Sequence, residues 1–265
     1  MKIFYLLLIL FVVNLSSQTI STNPLYGFAN NNSISTASRF GFDPAATSPV
    51  PLDYRTNLIV ELFADSNVTT SLNAVDQWVD VVSGVIFRQS TAVNKPTLVA
   101  NGINGRAYIL FTGTEFLTTA SAIDLTNFTI IITYKTDTLY LANRQYIIGG
   151  DGQGILGLAF NLHNFGEAGP GFNPVRTTEY TIDELNNWHI RALQNTQLFS
   201  NGVETSYNNT GNLTEIHLSK IGGRADNTVQ NFFGKITNIR IYNAVLSSPN
   251  LLQAVTYLDY LYSIY

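Results

Sequence analysis

The last third of the chain most constrains what it can fold into. Trp188, Ile190 and Ala192 alternate with His189 and Arg191, and Asn201-Gly202 follows as a tight turn. Phe232-Phe233-Gly234-Lys235-Ile236 then leads into a second alternating stretch, Thr237, Ile239 and Ile241 against Asn238 and Arg240. Alternation with a period of two, one side apolar, is the pattern of antiparallel sheets packed against each other. It recurs upstream. Residues 58–63 are a short apolar run. Phe128, Ile130, Ile132 and Tyr134 share a face opposite Thr129, Thr133 and Lys135, with Ile131 breaking the pattern. Leu156, Leu158, Phe160 and Leu162 share another. Turn signals stand at Asn101-Gly102, Asn104-Gly105, Asp151-Gly152 and Asn201-Gly202, pairs that favour tight hairpin turns.

One helix is expected, at the end. Ser248 suits the N-cap and Pro249 the first helical position. Leu251, Val255, Leu258 and Tyr262 then form one apolar stripe, to be laid on the outside of a sheet or across the end of a sandwich. The expected fold is all-β: an antiparallel β-sandwich of the jelly-roll kind with a short C-terminal helix.

The chain has 265 residues, of which 45% are hydrophobic, enough for a substantial core. Charged residues are 12%, about half the usual share, so Asn, Ser, Thr and Tyr must cover the surface. A net charge of −4 with no basic stripe argues against an electrostatic grip on nucleic acid or on anionic lipid. Cysteine is absent, which removes disulfides, thiolate metal sites and cysteine nucleophiles.

Three segments are expected. Residues 1–17 read as an export signal: Lys2, an apolar run over residues 3–13, then Asn14-Leu15-Ser16-Ser17-Gln18 at a cleavage point. The apolar run is short for a membrane helix, which needs about 20 residues. A stable membrane attachment is expected only if this segment is retained. Residues 18–52, rich in Asn, Ser, Thr and Pro, read as an extended arm, a linker or a strap that ties subunits together in self-assembly. Residues 53–265 are the folded domain.

Within that domain an ordered series of short motifs resembles the concanavalin A-like lectin/glucanase superfamily, and within it the laminin G-like jelly rolls. Trp78-Val79-Asp80 followed by Ser83-Gly84 is similar to an early segment of that family. Lys95-Pro96, Asn101-Gly102-Ile103-Asn104-Gly105, Ile109-Leu110-Phe111-Thr112-Gly113 and Phe116-Leu117 resemble its following strand-turn-strand run. Asn187-Trp188-His189 and Phe199-Ser200-Asn201-Gly202-Val203 resemble a later hairpin. Ile221-Gly222-Gly223, Phe233-Gly234-Lys235-Ile236, Ile241-Tyr242-Asn243 and Leu246-Ser247 resemble its closing segment. The residues themselves read as fold-making, with Trp188 and Tyr242 supplying large buried area.

The resemblance implies two kinds of chemistry to look for. Glycosidases of that superfamily place carboxylates on one face of a strand for acid and nucleophile. Here Asp183 and Glu184 are adjacent and would point to opposite faces, Glu179 and Asp183 lie in a loop-like stretch, and Glu61 and Asp65 lack a third carboxylate. No catalytic residue is assigned. The resemblance also implies calcium, held by a loop aspartate with backbone carbonyls, and Asp65, Asp80 and Asp151 are the candidates. His163, His189 and His217 lack the spacing of a zinc site.

A sugar or protein ligand would use aromatics and amides on a loop rim. Residues 163–180 offer them best: His163, Asn164, Phe165, Phe172, Asn173 and Arg176, where rings can stack on sugar faces and Asn or Arg can reach hydroxyls. Six N-x-S/T sequons, at Asn14, Asn31, Asn67, Asn127, Asn208 and Asn212, are no more than so Asn- and Thr-rich a chain holds by chance. The expected function is a non-catalytic recognition or adhesion module, secreted or on the cell surface, binding a glycan or a surface protein. The alternative is a structural subunit of a virion, filament or surface layer. A polysaccharide-cleaving enzyme is the third possibility.

Overall fold

In the computed structural model the described residues are 54–137, 145–150, 187–195, 197–205, 216–224 and 231–265. At 156–157, 159–160, 167–168, 176–177 and 206–207 the strand positions alone are described. The strands are β1 (Leu58–Phe63), β2 (Val68–Ser71), β3 (Ala74–Val79), β4 (Ile86–Arg88), β5 (Thr97–Ile103), β6 (Arg106–Thr112), β7 (Leu117–Leu125), β8 (Thr129–Thr136), β9 (Gln145–Tyr146) and β10 (Ile148–Gly150). They continue as β11 (Leu156–Gly157), β12 (Ala159–Phe160), β13 (Glu167–Ala168), β14 (Arg176–Thr177), β15 (Trp188–Gln194), β16 (Gln197–Ser200), β17 (Val203–Glu204), β18 (Ser206–Tyr207), β19 (Ile216–Ile221) and β20 (Phe233–Tyr242). One helix, α1 (Ser248–Tyr262), closes the chain.

The strands pair antiparallel in a sandwich-like arrangement. One layer runs β10-β19-β7-β4-β3, with β2 on β3. The other runs β5-β6-β20-β8-β15-β16-β17, with β1 beside β6 on the same edge of β20. A single residue pair, Ala74↔Thr97, joins them. Val75, Trp78, Phe87, Leu117 and Leu218 of the first layer pack against Ile109, Phe111, Ile132, Ile239 and Ile241 of the second. Burying each such side chain contributes about 1.5–3 kcal/mol.

The second layer is covered on both sides. Its outer face carries Ile131, Ile190, Ala192 and Tyr242 against Leu251, Ala254, Val255 and Leu258 of α1. This explains Ile131, which interrupts the alternation of β8 because it belongs to the helix side. It also corrects the reading of β15. Ile190 and Ala192 lie under the helix, whereas Leu193 faces the sandwich interior and His189 stands 6.0 Å from Tyr134 there. A strand buried on both faces gives an apolar parity that does not name the inner side.

β20 shows a second departure. Its register on β8 shifts between Ile236 and Asn238, so Ile236 and Ile239 both reach the core although they are three residues apart. A bulge of this kind cannot be read from alternation. The helix begins one residue earlier than expected: Ser247 is its N-cap and Pro249 lies inside the first turn. The stripe of Leu251, Val255, Leu258 and Tyr262 is buried as expected.

Two of the turn signals behave as predicted. Asn104 (φ 47°) and Gly105 (φ 74°) link β5 to β6, and Asn201 (φ 50°) and Gly202 (φ 82°) link β16 to β17; two successive positive φ values define the turn that matches strand twist. Asn101-Gly102 differs. It sits within β5, at a break in register between Val99 and Ile103, where the ring of Tyr108 lies directly on Gly102. The turn between β2 and β3 uses Leu72 (φ 52°) and Asn73 (φ 69°), which no Gly announces.

Two polar brackets hold β1. The Asp80 carboxylate accepts the N–H groups of Glu61, Val82, Ser83 and Gly84 and the Ser83 hydroxyl. Beside it the Trp78 indole donates to the Phe63 carbonyl at 2.9 Å. The motif Trp78-Val79-Asp80 with Ser83-Gly84 is therefore a structural clasp between β1 and the β3–β4 turn. On the helix side, Arg240 and Glu61 are fully buried and form an ion pair at 2.7 Å. The rings of Tyr257, Tyr54 and Phe63 stand 4.9, 5.3 and 5.8 Å from the guanidinium. Arg55 reaches the other oxygen of Glu61 at 2.8 Å.

Candidate functional site

A cleft of about 450 Å³ opens where β15 begins and α1 ends, a size that suits a small ligand. The tight turn at Asn104-Gly105 brings Asn104 to the end of the helix, where its Nδ2 donates to the Leu261 carbonyl at 3.2 Å and to Ser263 Oγ at 3.3 Å. Arg106 Nε donates to the same carbonyl at 3.2 Å. Helix ends leave carbonyls without intrahelical partners, and these two side chains satisfy one of them. Ser263 (φ 51°) terminates the helix in the left-handed conformation. The Asp259 carboxylate then accepts the Ile264 and Tyr265 N–H groups, each at 2.9 Å, and so turns Ile264 into the cleft wall.

Trp188 forms the opposite wall, with Asn187 before it. Trp188 is half-buried, not enclosed as its reading as a core residue would require. Its ring lies 5.9 Å from that of Tyr108, tilted by 56°. Lys235 Nζ stands 5.5 Å from the Tyr108 ring and pairs with Asp137 at 2.9 Å. Tyr262 is buried at the base, and burial raises its hydroxyl pKa above the ordinary tyrosine value. The cleft thus offers one aromatic face, the Asn104 amide oxygen, the Asn187 amide and the Ser263 hydroxyl, with the Asn104 NH2 group donating to Leu261 and Ser263. Among the described residues no carboxylate lines it.

The sequence candidates fall elsewhere. His163, Asn164, Phe165, Phe172, Asn173 and Asp151 lie outside the described residues, as do Glu179, Asp183 and Glu184. Of Arg176 only the strand position is described, paired with Tyr207. Asp65 accepts the Ala107 N–H at 2.6 Å and pairs with Arg106 at 3.0 Å, so with Glu61 held by Arg240 and Arg55 these two carboxylates do not face a common substrate. Asp80 is occupied by the clasp. Among the described residues no three His, Cys, Asp or Glu side chains gather as for a metal. His217 meets Asp124 across β19 and β7 at 2.6 Å. The cleft itself escaped the sequence reading because Asn104, Trp188 and Ser263 are far apart in the chain. The available signal was Trp188 at the first position of a strand, where a large ring is at a rim.

No known protein-family model and no curated protein matches the sequence. Solved structures do share the fold. A Trypanosoma rangeli sialidase in complex with 2,3-difluoro-KDN is 17% identical, with a TM-score of 0.59 over 87% of this chain and 37% of its own. Domain 4 of AbnA, an extracellular GH43 arabinanase from Geobacillus stearothermophilus, in complex with arabinotriose, is 14% identical, with a TM-score of 0.50 over 75% of this chain and 98% of that one. The binding domain of Paraclostridial Mosquitocidal Protein 1 is 14% identical, with a TM-score of 0.52 over 78% and 54%. At these identities the likeness is one of architecture. The chain spans about a third of the sialidase's length: 37% in the complex described above and 34% in the complex with sialic acid.

Proposed function

We propose that this protein is a glycan-binding module without catalytic activity, acting outside the cell that makes it, and that its sandwich is of the concanavalin A-like, laminin G-like kind. The observation that carries the reading is Trp188, a half-buried ring on the wall of a cleft that also holds two amides and a hydroxyl. Apolar faces of sugar rings stack on aromatic rings, and amides both donate to and accept from sugar hydroxyls. Solved neighbours of the same architecture include an arabinanase domain in complex with arabinotriose. Export rests on the N-terminal apolar segment.

A glycan array tests this. The native protein should retain a defined set of oligosaccharides, and Trp188→Ala should lose them by about tenfold or more, as removal of an aromatic anchor does, with its circular dichroism unchanged. Equal retention by Trp188→Ala overturns the assignment of the cleft.

A further inference from the structure

On the proposed reading of the cleft, we infer that its ligand is an anionic sugar, one bearing a carboxylate or a sulfate ester, and that Lys135 supplies the matching charge. The register of three strands places Lys235, Lys135 and Trp188 in one row: Lys235 pairs with Lys135 across β20 and β8, and Lys135 pairs with Trp188 across β8 and β15. Directly opposed residues share a face, with Cβ atoms about 4.5–5.5 Å apart. The row lies on the outer side of the layer, the side that α1 covers further along. Trp188 belongs both to this row and to the cleft wall.

Two lysines opposite each other repel, at a cost to the sheet. The other described lysines have their ammonium groups engaged: Lys95 by Asp76, Lys220 by the Arg224 carbonyl at 2.9 Å, and Lys235 by Asp137. Lys135 is different, since among the described residues it has no acceptor, although it is half-buried. Asp137 neutralises Lys235 and Asp65 neutralises Arg106. Asp259 is committed to the N–H groups of Ile264 and Tyr265. The helix-end carbonyl of Leu261, which would repel an anion, is covered by Asn104 and Arg106. Asp259 keeps its charge at the helix end, but in the strand row that holds Trp188, Lys135 is the cation that no described carboxylate meets. A sugar stacked on Trp188 carries its ring substituents within reach of the flexible lysine stem. A charge-assisted hydrogen bond to an acidic substituent would engage the last of the described lysines.

The test is an array that carries neutral glycans beside their uronate, sialylated or sulfated counterparts, probed at two salt concentrations. The expected result is at least tenfold stronger retention of the acidic member of a pair. That preference should shrink with salt, vanish in Lys135→Gln and return in Lys135→Arg. Retention of neutral glycans with equal strength by the native protein and Lys135→Gln overturns the charge assignment while leaving the cleft as a glycan site. Retention of no glycan overturns the reading on which it rests. Lys135→Arg, which keeps the charge, separates loss of charge from loss of folding.

Discussion

Arg240 and Glu61 meet at 2.7 Å with neither side chain open to solvent. They sit between β1, β20 and α1, under the stacked rings of Tyr54 and Tyr257, whose centroids are 5.4 Å apart. Breaking such a pair leaves a buried charge uncompensated and costs about 3–5 kcal/mol. Glu61→Gln should destabilise the domain by that amount in urea unfolding. Glu61→Gln with Arg240→Met should lose less than the sum of the two single changes, because the pair is removed together. Additive losses would show that the two charges are not coupled.

Burial pushes the Tyr242 hydroxyl up to about 12, against the partial opposing pull of Arg240. A phenol with a raised folded-state pKa contributes stability that is whole below the unfolded value near 10 and is lost as pH rises through 12. Unfolding free energy should therefore fall between pH 10 and 12, by about 2–3 kcal/mol from this residue. Tyr242→Phe should be flatter over that window. An identical alkaline slope in the variant would assign the loss to other groups, such as Tyr262 and Tyr265, whose hydroxyls burial also raises.

Much of this architecture can be read from residue order. The period of two in β8, β15 and β20 identifies the strands, and Asn104-Gly105 and Asn201-Gly202 identify two turns, because each signal is local. The stripe from Leu251 to Tyr262 identifies the helix for the same reason. What escapes is set by tertiary packing. The outward parity of Ile190 and Ala192 depends on a helix some sixty residues away in the chain. The bulge after Ile236 depends on the partner strand, and Leu72 adopts φ 52° without a glycine to mark it. The cleft is the hardest feature to foresee, since Asn104, Trp188 and Ser263 converge only when β5, β15 and α1 are assembled.

Gly102 connects the fold to the cleft. A side-chain carbon at this position would come within 2.1 Å of the Tyr108 ring, which in turn meets Trp188. Gly102→Ala should displace that ring and alter Trp188 emission, with a stability loss of about 1–3 kcal/mol from overpacking. Unchanged emission would show that the Tyr108–Trp188 contact is not held by the bulge in β5.

Asp76 has its carboxyl held below the ordinary range by Lys95 and then by the Ser71 hydroxyl. The stability it adds is present above the unfolded carboxylate value and is lost as pH falls through its own lower one. Lys95→Met should raise the Asp76 titration, followed by carbon-13 NMR of the carboxyl, toward the ordinary range, with the Ser71 hydroxyl still holding it partly down. A titration that does not move would place the main cause elsewhere.

The chain has two tryptophans. Trp78 is sealed in the core, and Trp188 is half-buried at the cleft. Acrylamide quenching of the native protein therefore reports mainly on Trp188, which makes it the most direct test of the cleft. With a retained oligosaccharide at saturation, the accessible component should shift to shorter wavelength and lose most of its quenching. A saturating glycan that leaves Trp188 as quenchable as before would place the binding site elsewhere on the protein.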